Sequence, residues 1–363
     1  MQLSQRNKET VDACRFCWMC RHICPIGNAT GMERNTSRAR ALGLSMVLRN
    51  VETLESVMDN IYECSLCGAC TKECKTGWDP VQFTTEAKLE GAAAGVTPAY
   101  IVPLIEKVLT SGNIYGENKL DAKLAKEIGT LPKTADTVLY LGTDARFRTP
   151  ELAVKAIQLL KKAGLQFTVL AAEPGSGYDL YFLAGAAEET RKRMSVAAET
   201  LSGFKTVIAY DPNDARMFLR QYKEWGVVLK AKVKTFTDVL AGQIRTKKLS
   251  VKKGALTYTF QDPASLARDL EETVPARKVL GACGGIREML LHGKDTNLAG
   301  SLVMNEYMPE VMRKVAESRW RDAAGVGATI LVTASPSEYV LLKATKPETM
   351  QILAMEEVVA KCL

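Results

Sequence analysis

Cys14-Arg15-Phe16-Cys17-Trp18-Met19-Cys20-Arg21-His22-Ile23-Cys24-Pro25 sets four thiols at gaps of two, two and three residues, and Cys64-Ser65-Leu66-Cys67-Gly68-Ala69-Cys70-Thr71-Lys72-Glu73-Cys74 repeats that spacing. Eight of the ten cysteines in this 363-residue chain therefore lie in two copies of one pattern. Thiolates are soft ligands, and their clustering selects soft, thiophilic metal chemistry. Three cysteines at two-residue gaps wrap a loop around three corners of a compact inorganic core. The fourth ligand has to approach from another direction.

The spacing is that of bacterial two-cluster ligation, in which the fourth cysteine of each run serves the cluster of the other. It predicts two [4Fe–4S] clusters, one on Cys14, Cys17, Cys20 and Cys74 and one on Cys64, Cys67, Cys70 and Cys24. Such a segment moves single electrons. Zinc is the competing metal, but its sites usually pair two C-x2-C knuckles or add histidines. The second run has Lys75 where the first has Pro25. Gly68 gives the second loop backbone freedom where the first has Trp18. Two readings of Trp18 stay open, a shield of its cluster from water and a packing residue at a domain contact. His22 is read as a surface residue, with a hydrogen bond near a cluster sulfur as the alternative.

At this length two or three domains are expected. No run of about 18 apolar residues suggests a spanning helix, and the first 25 residues hold charges and four cysteines rather than an export signal. Clustered thiols without such a signal predict a reducing, cytoplasmic setting. The net charge of +7 fits a solvated basic surface, an acidic partner or peripheral contact with the cytoplasmic face of a membrane. No nucleic-acid motif stands out.

Residues 38–60 mix apolar and charged positions as helices between the cysteine loops do. Thr76-Gly77-Trp78-Asp79-Pro80 reads as a turn with Asp79 as N-cap and Pro80 at the first helical position, opening a helix to about Gly91. Residues 91–132 look like a helical connection broken by Gly95, Pro98, Pro103, Gly112 and Gly116. From about 134 short apolar strands alternate with helices: Thr137-Val138-Leu139-Tyr140-Leu141-Gly142, a helix over 150–163, Phe167-Thr168-Val169-Leu170 and Thr206-Val207-Ile208-Ala209-Tyr210. Ala255-Leu256-Thr257-Tyr258-Thr259-Phe260, Lys278-Val279-Leu280 and Thr329-Ile330-Leu331-Val332-Thr333 follow in similar order. Interleaving of this kind implies parallel βαβ sheets. The expected fold is α+β overall: a mainly helical, ferredoxin-like two-cluster domain over 1–95, a connection over 96–133, and a duplicated α/β region with halves at 134–250 and 251–363. Tyr210-Asp211-Pro212 and Ala334-Ser335-Pro336 occupy matching places in the two halves. The basic stretch 245–253 reads as a solvated linker between them.

This order resembles the family of heterodisulfide reductase D-type, glycolate oxidase and anaerobic glycerol-3-phosphate dehydrogenase iron–sulfur subunits. Members carry cysteine-rich CCG modules in the α/β halves, and in the disulfide reductases these bind a non-cubane cluster. Against that pattern the modules here look degenerate. Gly175-Ser176-Gly177 stands for Cys-Cys-Gly, Asp211-Pro212 for a later cysteine, Gln261-Asp262-Pro263-Ala264 for Asp-Pro-Cys, and Ser335-Pro336 for the closing Cys-Pro. Ala282-Cys283-Gly284-Gly285 keeps one cysteine of a pair. One thiolate cannot hold a polynuclear cluster, so no third centre is expected. Cys283 is read as a small buried residue, with a reactive thiol as the alternative, and Cys362 is given no role. The two glycine-rich segments read as relics of ligand loops, a phosphate or flavin cradle being the alternative.

The resemblance implies an electron-transfer subunit of a flavin-dependent dehydrogenase complex, relaying electrons between a flavoprotein partner and an acceptor such as quinone, electron-transfer flavoprotein or ferredoxin. No catalytic residue is assigned to this chain, and no cofactor beyond the two clusters. The alternatives are a catalytic disulfide-reductase-type subunit using Cys283 and a zinc-binding structural scaffold.

Overall fold

The computed structural model describes residues 3–14 and 17–363. The chain divides into two compact units, one of Met1–Gly116 with Asp179–Thr190 and Val303–Val315, the other of Glu117–Tyr178, Arg191–Leu302 and Ala316–Leu363.

The first unit is helical. Each helix needs a partner for its first free N–H groups, and side chains next to the cysteine runs supply several. Thr36 caps Ser37–Leu48 by accepting from Ala39 N–H, Thr53 caps Leu54–Tyr62, and Asp79 caps Pro80–Ala93 by accepting from Gln82 N–H. Pro80 sits where a missing N–H costs nothing. Val11, Ala41, Leu44, Ile61, Trp78, Phe83 and Ala87 form the core. Gly91 leaves room for the Met58 side chain, since a Cβ there would lie 2.3 Å from Met58 Cε. Segments distant in sequence close this unit: Tyr62 Oη donates to the Leu183 carbonyl at 2.7 Å, and Tyr307 Oη donates to the Tyr62 carbonyl at 3.0 Å.

The second unit holds two parallel sheets. β1 (Thr137–Tyr140), β2 (Thr206–Ala209) and β3 (Lys232–Thr235) lie in that order, and Thr168 bridges Val138 on the outer side of β1. β4 (Thr257–Gln261), β5 (Gly285–Ile286), β6 (Ile330–Thr333) and β7 (Gln351–Ala354) lie in the order β5-β4-β6-β7. The halves share one topology: the opening strand is flanked on one side by the segment that follows it and on the other by a strand reached later. This is the duplicated α/β region. Asp211 after β2 and Ser335 after β6 both cap a helix that begins with proline. Apolar residues of both halves, among them Leu139, Ile157, Ile208, Phe260, Val279, Val332 and Leu353, make one core.

One expected strand is a helix. Lys278-Val279-Leu280 lies within Val274–Cys283, where Ala276, Val279, Leu280 and Cys283 are the buried positions. Their spacing of three, one and three is helical, and the apolar pair alone mimics a strand. The strand expected at 167–170 makes a single bridge, at Thr168.

Two carboxyls are sealed in this core. Glu338 accepts from Gln261 Nε2 at 2.9 Å and Thr333 Oγ1 at 3.0 Å, and Glu356 accepts from Tyr210 Oη. Burial pushes both pKa values from 4.5 up to about 7. A carboxyl raised on folding stabilises the fold fully below its unfolded pKa, and that stability is lost as pH rises through about 7. Each shift corresponds to about 3 kcal/mol. Glu356→Gln, which keeps an acceptor for Tyr210, is expected to raise the thermal midpoint at pH 8 and leave it near wild type at pH 5. Equal shifts at both pH values would contradict this.

Candidate metal centres

The two cysteine runs are shaped by residues in the left-handed region. In the first loop Trp18 has φ 70°; in the second Leu66 has φ 54° and Gly68 has φ 73°. Gly68 is suited to that conformation and Trp18 is not, so the first loop holds a strained turn that its surroundings must maintain. Arg38 supplies part of that support, its guanidinium lying 4.4 Å from the Trp18 ring centroid, with Arg21 at 5.2 Å. Trp18 stays 49% exposed.

The closing cysteines differ in local role. Cys24 is the N-cap of Pro25–Thr30, its Sγ accepting from Gly27 N–H at 3.4 Å, so Pro25 falls at the first helical position. Cys74 instead ends Ala69–Glu73 and lies 3.2 Å from Thr76 Oγ1. Lys75 therefore does not begin a helix, and no proline is needed there. His22 is exposed, and its carbonyl accepts from Asn28.

The eight cysteines line two separate cavities. Cys14, Cys17, Cys20 and Cys74 line one, with Trp18, Met19, Arg38, Lys75, Thr76 and Trp78. Cys24, Cys64, Cys67 and Cys70 line the other, with Ser37, Arg40 and apolar residues. Their empty volumes are about 440 Å³ and 320 Å³. Each cavity thus combines three cysteines of one run with the last cysteine of the other. Among the described residues no three His, Cys, Asp or Glu side chains converge tightly enough to share a single ion. The thiols stand around a space rather than about a point.

The cavities differ in exposure. In the first, Cys17 is exposed and Cys14 and Cys74 are half-buried; in the second, Cys24, Cys64 and Cys70 are buried. Burial pushes the Cys20 thiol up to about 11, drives Cys70 well above its ordinary value and raises Cys24. These three thiols remain protonated at neutral pH unless a cationic centre replaces their protons. Donor chemistry and enclosure therefore fit a thiophilic polynuclear group.

Two buried cations near the second cavity escape the sequence reading. Arg40 is 1% exposed, its Nε donates to the Asn60 carbonyl at 2.9 Å, and its Nη2 has no partner. Lys88 is fully buried, donates to the Phe182 carbonyl at 2.9 Å, and is lowered to about 7 by burial against the pull of Cys64. A signal exists: Arg40 falls four residues before Leu44 on the core-facing side of its helix, where an apolar residue is the rule.

The segments matched to CCG modules are closed on themselves. The Glu173 carboxylate accepts from Leu141 and Gly142 N–H, both at 2.8 Å. Ser176 Oγ donates to Asp214 and accepts from Tyr178 N–H at 3.2 Å. Asp262 receives both terminal nitrogens of Arg277, at 2.7 and 2.9 Å, and Gly293 N–H at 2.7 Å. A Cβ on Gly284 would sit 2.3 Å from the Leu256 carbonyl oxygen, so that glycine serves close packing against the start of the second half. Cys283 is fully buried and its thiol is pushed up to about 12, by burial first and then by Cys362.

Residues 10–78 match a family model described as a 4Fe-4S dicluster domain. Over 364 residues the chain is 23% identical to the D-type polypeptide of the dihydromethanophenazine:CoB--CoM heterodisulfide reductase of Methanosarcina acetivorans, covering 90% of this chain and 87% of that protein. The Methanosarcina barkeri counterpart is 24% identical over 359 residues with the same coverage. Among solved structures, a hypothetical protein from Helicobacter pylori aligns with 99% of this chain and 73% of its own at a TM-score of 0.55 and 10% identity, a likeness of fold alone. The relatives are distant and consistent with a broad iron–sulfur electron-transfer family. No helix among the described residues is long and apolar enough to cross a membrane.

Proposed function

We propose that this chain is the electron-transfer subunit of a flavin-dependent dehydrogenase complex in the reducing cytoplasm. In this reading it holds one [4Fe–4S] cluster on Cys14, Cys17, Cys20 and Cys74 and another on Cys24, Cys64, Cys67 and Cys70. The observation that carries it is the sorting of eight cysteines into two cavities, each built from both runs. Bound clusters supply one-electron storage and release. The chain's own residues do the rest. The buried cage excludes water, and the exposed Cys17 and Trp18 give the other cage access to a partner. The α/β unit serves as a docking scaffold for a flavoprotein, and a quinone, an electron-transfer flavoprotein or ferredoxin takes the electrons onward. Scaffolding fits a unit whose would-be ligand positions are occupied by caps and ion pairs.

The test is an anaerobic reductive titration of the isolated full chain with a one-electron donor. It should take up about two electrons per chain, one per cluster, and carry no flavin. Failure to accept electrons, or a stoichiometric yellow flavin, would overturn the reading.

A second reading follows from the named relatives, which are heterodisulfide reductase components. It needs thiol chemistry in the α/β unit. Cys283 is unsuited to it, because a fully buried thiol with its pKa near 12 supplies almost no thiolate at neutral pH. Cys283→Ser is expected to leave turnover of the intact complex within about twofold of wild type, as an uninvolved buried residue of similar size should. Loss of turnover with the fold retained would favour the disulfide reading.

A further inference from the structure

The environment of the second cage is electrically unusual. Arg40 points from Ser37–Leu48 into the interior, is 1% exposed, and lines the cavity of Cys24, Cys64, Cys67 and Cys70. Among the described residues no carboxylate forms an ion pair with it. The acid that influences it, Glu63, is engaged elsewhere, by Arg34 at 2.8 Å, Asn60 at 3.1 Å and Asn35. Its Nη2 is buried without any hydrogen-bond partner. A charge removed from water and left unpaired is strongly unfavourable. Proteins rarely retain one unless an opposite charge completes the site.

The other cage has an arginine too, two residues earlier on the same helix, and its circumstances are opposite. Arg38 is ion-paired to Glu33 at 2.9 Å, is 22% exposed and stacks on Trp18. The other cation lining that cavity among the described residues, Lys75, is exposed. Water and a carboxylate therefore offset the first cage's cations, while the second cage's cation faces sulfur. As thiolates, the sulfurs of Cys64, Cys24 and Cys70 oppose the cost of burying Arg40 and favour its charged guanidinium.

We propose that Arg40 is the built-in counter-charge of the buried cage: a desolvated guanidinium with no carboxylate partner, on the cavity wall, that favours the more negative, reduced form of the cluster held by Cys24, Cys64, Cys67 and Cys70. The proposal rests on the reading that this cavity holds a cluster. Its logic is electrostatic. Reduction adds one negative charge. Enclosure away from water opposes that charge, and would by itself make the buried cluster the harder of the two to reduce. A fixed cation in the same low-dielectric surroundings acts in the opposite sense and is screened far less than one at the surface. Arg40 thus offsets burial and keeps the inner cluster reducible alongside the exposed one, which a two-step relay requires. It is a positioning residue for charge and not a ligand.

The experiment is a potentiometric titration of the anaerobically assembled full chain, followed by electron paramagnetic resonance, for wild type, Arg40→Gln and Arg40→Lys. In Arg40→Gln one midpoint should fall, by about tenfold in the one-electron equilibrium, roughly 59 mV, while the other stays. Arg40→Lys should keep both midpoints near wild type. Both midpoints unmoved in Arg40→Gln, or both moved together, would overturn the proposal. If Arg40→Gln loses a cluster, Arg40→Lys decides. Retention of that cluster at its wild-type midpoint supports the counter-charge, and its loss would mean that guanidinium packing alone explains the residue. A wild-type chain without iron and sulfide would instead overturn the cluster reading itself, a failure distinct from unmoved midpoints.

Discussion

Cys24→Ala is expected to remove the cluster of Cys64, Cys67 and Cys70 and to leave that of Cys14, Cys17, Cys20 and Cys74 in place. Iron should drop from about eight to about four per chain, since one [4Fe–4S] centre is lost. Cys24 lies beside Cys20 in sequence, yet it lines the cavity of the later run and not that of its neighbours. Cys74→Ala should give the mirror result. One complication is local: Cys24 also caps Pro25–Thr30, and losing a cap costs about 1 kcal/mol. Cys24→Ser retains a capping oxygen while weakening soft-metal ligation, so it separates the two effects. Spectra in which Cys24→Ala damages the Cys14, Cys17 and Cys20 centre first would show that each run holds its own cluster.

Gly142→Ala should destabilise the α/β unit by about 3 kcal/mol, the sum of a left-handed backbone penalty and core overpacking. Gly142 follows β1 with φ 84°, and a Cβ there would lie 2.1 Å from Asp214 Oδ2 and 3.1 Å from Asp211 Cβ. Asp214 cannot swing aside freely, because Ser176 Oγ holds its other oxygen. The Gly142 N–H is also committed, donating to Glu173 at 2.8 Å. The clash, the backbone conformation and the carboxylate network fail together. Denaturant unfolding measures the loss, and a change below about 1 kcal/mol, the size of an ordinary surface substitution, would contradict the geometry.

Much of this architecture is legible in the residues. Asp79-Pro80 announces its helix because capping and a fixed proline φ are local effects, and the turn forms as read. The alternation from 137 onward gives parallel sheets for the same reason: short apolar runs between amphipathic helices bury both faces. What stays hidden is non-local. β3 and β7 go unseen, since Lys232-Val233-Lys234-Thr235 is largely exposed at a sheet edge and Gln351-Ile352-Leu353-Ala354 runs without a break into the helix Met355–Cys362. No local rule tells that Asp179–Thr190 and Val303–Val315, at equivalent places in the two halves, join the helical unit. Of the site, the sequence displays the sulfur and conceals the charge. Lys88 looks like a surface residue until its helix is packed, and Arg40 betrays itself only by its helical spacing from Leu44.

The decisive measurement is metal and acid-labile sulfide analysis of the full chain purified without oxygen, with resonance spectra on reduction. About eight iron and eight sulfide per chain, with paramagnetic signals on reduction, is the outcome two cubane cages require. Colourless protein carrying zinc and no sulfide would contradict the account at its root.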